Sequence, residues 1–120
     1  MEKVHLFVSV GRFRSLDEMR AYTDETYDDD GNGLPSPFIT EVGLDEYEPN
    51  CIEAYPSASG RPVPLAELLA GASYWEQWLP AVDVTRLADA AICVFPPNVV
   101  ENPAGCTLEY VGAFQFEYRP

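Results

Sequence analysis

From Lys3 to Val10 the residues divide into two alternating sets. Val4, Leu6, Val8 and Val10 fall on one side, and His5, Phe7 and Ser9 on the other. A period of two in β-branched and aromatic residues predicts a strand, which Gly11 ends. The period then lengthens. Ser15-x-x-Glu18 has the form of a capping box and opens a helix with Leu16, Met19, Tyr22 and Thr23 on its apolar side. The pattern predicts that this helix runs to about Tyr27, where Asp28-Asp29-Asp30-Gly31-Asn32-Gly33 begins a loop. Ser36-Pro37 reads as an N-cap followed by proline in the first helical position, and Gly43 as a left-handed stop; between them Phe38, Ile39 and Val42 form the buried side of a short helix.

Further along, Cys51–Tyr55 is a short strand candidate and Pro56–Pro62 a loop. Pro64 starts a short helix over Leu65–Ala70, ended by Gly71. Ser73-x-x-Glu76 repeats the capping-box spacing ahead of Trp75, Trp78 and Leu79, whose helical intervals favour packing as core over a binding role. Asp83 is placed to cap another turn through Leu87. Ala91–Phe95 reads as a buried strand halted by Pro96-Pro97, and Thr107–Tyr118 as a longer strand with a bulge near Gly112. The expected fold class is α+β: a single domain over residues 1–120, with a mostly antiparallel sheet and several short helices packed against it.

Length and composition support one core. At 120 residues and 47% apolar the chain can bury a single hydrophobic interior. Three cysteines without C-x-x-C spacing predict reduced thiols rather than a zinc site or a disulfide framework. The Val4–Val10 run is too short, and too interrupted by His5 and Ser9, to act as a secretory leader, and no apolar segment is long enough to cross a bilayer. A cytoplasmic protein is expected.

Charge changes the picture more. The formal net charge is −13, which disfavours nucleic acid and anionic lipid as partners. Twelve acids and a single base, Arg20, between Asp17 and Glu53 account for −11 of it, with Tyr22, Tyr27, Phe38, Tyr47 and Tyr55 interleaved. Two readings stand open. One is a surface that steers and captures a basic protein, with Tyr27, Asp28, Asp29, Asp30, Asp45, Glu46, Tyr47 and Glu48 as contacts. The other is a solubilising face whose aromatics merely cover the core.

Catalytic parts are scarce. The single histidine, His5, sits inside the first strand, where a structural role is expected, and no nucleophile elbow, phosphate loop or dinucleotide motif occurs. No catalytic residue, cofactor or metal ligand is assigned. Asp28, Asp30 and Asn32 match the first half of a calcium-binding EF-hand loop, but Ile39 stands where the bidentate glutamate belongs. A carboxylate enzyme would require a pocket gathering two acids beside an apolar wall.

The order of features resembles the immunity protein 22 family of bacterial polymorphic toxin systems. The resemblance rests on Val10-Gly11-Arg12-Phe13, Ser15 to Met19, Tyr22, Tyr27 to Gly31, Pro35 to Phe38, Val42 to Asp45, Tyr47 and Cys51 to Ala54. It continues through Leu65 to Leu69, Ser73-Tyr74 and Tyr110 to Phe114. It implies a non-enzymatic antidote that binds a cognate toxin, often a nuclease with a basic surface, either in its cleft or beside it.

Overall fold

The computed structural model describes residues 1–44 and 47–119. Its centre is a four-stranded antiparallel sheet in the order β4-β7-β1-β8, formed by β1 (Glu2–Ser9), β4 (Ile52–Pro56), β7 (Ala90–Val94) and β8 (Glu109–Phe116). Each face of the sheet carries its own core, as the two-sided apolar content of β1 requires. Val4, Leu6 and Val8 join Ala91, Cys93, Phe95 and Phe116 on one face, under α3 (Leu65–Leu68) and α4 (Trp75–Trp78). On the other, Phe7, Ile92 and Val94 lie under α1 (Leu16–Thr23) and α2 (Pro37–Val42). With both faces covered, β7 is buried along its whole length. The α+β class and the packing of short helices on an antiparallel sheet are as expected.

The local signals translate closely. Ser15 Oγ accepts the Glu18 backbone N–H at 3.1 Å, and Ser36 Oγ that of Ile39 at 3.2 Å. Gly43 adopts φ +75° and ends α2. The bulge also falls where expected. Leu6 pairs with Gly112 and Phe7 with Tyr110, so Val111 is the extra residue, and Gly112 takes φ +150°.

Three expectations are corrected. First, α1 ends at Thr23 rather than near Tyr27, because Asp24 turns extended. Thr26–Tyr27 (β2) then pairs with Gly33–Leu34 (β3) in a small hairpin around the acidic loop. Second, Ser73 caps nothing: its hydroxyl and backbone N–H both bond Glu53, and Tyr74 takes the left-handed conformation at φ +58° before α4. Third, Asp83 accepts from Thr85 in a tight turn instead of starting a helix, and Leu87–Ala88 (β6) pairs with Val63–Pro64 (β5). Of the two tryptophans expected as core, Trp78 is fully buried, whereas Trp75 is 39% exposed.

Candidate functional site

The acidic loop is a built turn rather than a flexible run. Asp28 Oδ1 accepts the backbone N–H groups of Asp30 and Asn32, each at 2.9 Å, and Oδ2 accepts the Asn32 side-chain amide at 3.3 Å. The backbone bonds Asp28 N to Asn32 O and Gly31 N to Asp28 O close it. These donors, the Asn32 N–H foremost, hold the Asp28 carboxyl below its usual range. Asp28 is therefore a structural residue of the turn, and Asp29, Asp30 and Tyr27 are its exposed members; Tyr27 is 68% exposed.

The chain does not continue from this loop into the second half of an EF-hand site. Asp28's carboxylate accepts three hydrogen bonds from within the loop, and Ile39, at the position of the missing bidentate ligand, is a buried apolar residue of α2.

The second half of the predicted surface is reached through Glu25. Its carboxylate lies over Gly33 of the hairpin. Burial, and then the neighbouring Glu25 charge, push the Tyr47 phenol up, with Tyr27 contributing from the hairpin. Tyr27, Glu25 and Tyr47 thus share one region. Tyr47 is half-buried against the α1–α2 core, and with Glu25 and Ile39 it lines a depression of about 160 Å³. Glu48 follows as a cap: its Oε1 accepts Asn50 N. Buried Asn98 grips the Glu48 backbone from both sides, accepting its N–H at 2.7 Å and donating to its carbonyl at 3.1 Å. Asp45 and Glu46, also predicted contacts, lie outside the described residues.

The interleaved aromatics divide. Tyr22 and Phe38 belong to the core, Tyr47 and Tyr55 are half-buried, and Tyr27 alone of the five is largely exposed. Several acids of the run likewise serve the fold. Glu41 Oε1 accepts from Thr107 N, Thr107 Oγ1 and the Tyr22 hydroxyl, tying α2 to the approach of β8. Among the described residues the two ion pairs, Arg86–Glu109 and Arg119–Glu117, both fall outside the acidic run.

Sequence reasoning missed a cleft of about 600 Å³ where β1 and β4 begin and β7 and β8 end. Tyr74, Phe95, Pro96, Pro97, Phe116 and Tyr118 form its walls. It contains two acids, Glu2 and Glu53, as a carboxylate enzyme would require. Glu53, however, accepts the Ser73 N–H at 3.0 Å, the Ser73 hydroxyl and the Tyr55 hydroxyl at 2.5 Å, so its carboxylate holds the wall together. The remaining candidate groups are also engaged in packing. His5 Nδ1 shares a 2.9 Å hydrogen bond with Tyr110, and burial pushes the Cys93 and Cys106 thiols up, away from a reactive thiolate.

Fold and side chains together describe a small acidic α+β protein in which several carboxylates hold turns and walls. A family model fits this class: immunity protein 22 matches residues 6–117, and the chain belongs to that family. Membership gives it an immunity role and implies a cognate toxin as its partner. Comparisons with curated proteins and with solved structures give no match. Among the described residues no helix is long and apolar enough to cross a membrane.

Proposed function

We propose that this protein acts in the cytoplasm by binding, without catalysis, and neutralises a cognate polymorphic toxin stoichiometrically. The toxin is a nuclease with a basic surface. The contact surface is the acidic hairpin with the segment that follows α2: Tyr27, Asp28, Asp29 and Asp30 with Asp45, Glu46, Tyr47 and Glu48.

The observation that carries this reading is the uncompensated charge beside an exposed tyrosine. The run holds a formal −11 with Arg20 as its one base, and neither described ion pair draws on it. Such a field raises the encounter rate with a cationic surface, and tyrosine supplies contact area at low conformational cost.

The test reverses charge at Asp29 and Asp30 together and leaves Asp28 in place, since Asp28 holds the turn. Association with the toxin domain encoded by the neighbouring gene is followed by stopped flow. The doubly reversed Asp29→Lys, Asp30→Lys protein should associate at least tenfold more slowly at low salt, with its melting temperature no lower than that of wild type. The difference should shrink as salt is raised. Equal association rates for variant and wild type would move the interface elsewhere.

A further inference from the structure

We infer that the aromatic cleft at the end of the sheet is a second part of the toxin-binding surface, receiving an arginine-bearing segment of the toxin. The inference rests on the binding function proposed above and adds to it a site and a ligand chemistry.

Charge selects the occupant. Among the described residues, the charged side chains lining the cleft are Glu2 and Glu53, both acids. The walls are aromatic faces and prolines, which suit a planar, weakly hydrated guanidinium that can stack on a ring while it meets a carboxylate. Glu53 is occupied with Ser73 and Tyr55, so Glu2, exposed at the start of β1, is the carboxylate left to meet the cation.

The walls are held rigidly, which lowers the ordering cost of binding. Glu53 fixes Ser73, and Tyr74 follows in a left-handed backbone that a non-glycine residue adopts at a cost. Its ring stacks on Phe116 at 4.7 Å and stands 6.3 Å from Tyr118. The Tyr74 hydroxyl donates to the Arg119 carbonyl and accepts its N–H, while Gln77 bonds both backbone groups of Glu117. These four bonds bracket Tyr118, which stays 64% exposed at the cleft.

The cleft also continues from the proposed surface. Asn50 and Cys51 line it, and the Asn50 N–H is bonded by Glu48. Glu48 of the proposed surface thus borders the cleft through Asn50.

The experiment uses the full chain and the toxin domain from the neighbouring gene, with affinity measured by calorimetry. The variants are Tyr118→Ser and Glu2→Lys, two exposed positions. Each should weaken binding at least tenfold while the melting temperature stays put. Glu2→Lys should flatten the salt dependence, and Tyr118→Ser should leave its slope intact. Wild-type affinity in both variants would remove the cleft from the interface and leave toxin binding standing. Failure of the wild type itself to bind would overturn the cleft and the proposed function together. A dimer of this chain that Tyr118→Ser dissolves would give the cleft to a second copy and overturn the assignment. Should Tyr118→Ser fail to fold, Glu2→Lys decides alone.

Discussion

Single residues carry much of this protein's acidity into its architecture. Asp28, Glu41, Glu48 and Glu53 each accept hydrogen bonds that shape a turn or join distant segments. The same logic makes His5 a pH sensor of stability. Burial, then the Lys3 charge, lower its pKa from the ordinary 6.5. Between the lowered value and 6.5 the unfolded chain binds the extra proton, so stability rises with pH across that window. His5's contribution is therefore complete above 6.5 and is lost as pH falls through the folded-state value. Urea unfolding at about pH 7.5 and about pH 5.5 should show a smaller drop in the His5→Gln variant than in wild type. An identical drop would mean that the carboxylates alone set the acid limb.

Elements are fixed by their ends. α2 is six residues long, too short to persist on propensity alone, and owes its place to Ser36, Gly43 and the burial of Phe38, Ile39 and Val42. Ser36→Ala should cost about 1 kcal/mol. Gly43→Ala should cost about 1–2 kcal/mol through the left-handed backbone, since an added Cβ meets nothing nearer than Glu101 Cβ at 3.6 Å. Denaturant titration of the two single variants checks both values. A neutral Gly43→Ala would mean that the turn after α2 can be rebuilt. These caps were legible in the sequence because capping chemistry is complete within four or five residues. The hairpin β2–β3 was not. Its two-residue strands carry no period, and only their pairing across the Asp28 turn defines them.

At the scale of the whole molecule, the net charge acts on folding as well as on partners. A formal −13 repels itself in the compact state, and salt screens that repulsion. The melting temperature should rise from low salt to about 0.15 M, the range in which the proposed toxin association should slow. Opposite signs for the two effects would identify a common origin in the acidic run. A melting temperature independent of salt would show that the acids are too dispersed to strain the fold. The two-sided core also separates the surfaces: the acidic hairpin follows the α1–α2 layer, while Tyr74 of the cleft packs against the α3–α4 layer. A substitution at one can then be read without disturbing the other.

What the sequence determined by itself was local or summed. The alternation in β1, the caps of α1 and α2, the bulge at Gly112, the placing of charge in one run, and the order of motifs that resembles the family all depend on near neighbours or plain counting. Tertiary structure decided what each residue is for. It spent Asp28 on a turn, put Tyr22 and Phe38 into the core, left Tyr27 outside, and brought Glu53 to Ser73 from twenty positions away. The cleft needs residues from Glu2, Asn50 to Glu53, Ser73-Tyr74, Phe95 to Pro97 and Phe116 to Tyr118 at once. Those segments meet only because the strands assemble in the order β4-β7-β1-β8, a pairing set by the burial of both sheet faces rather than by any short stretch of chain.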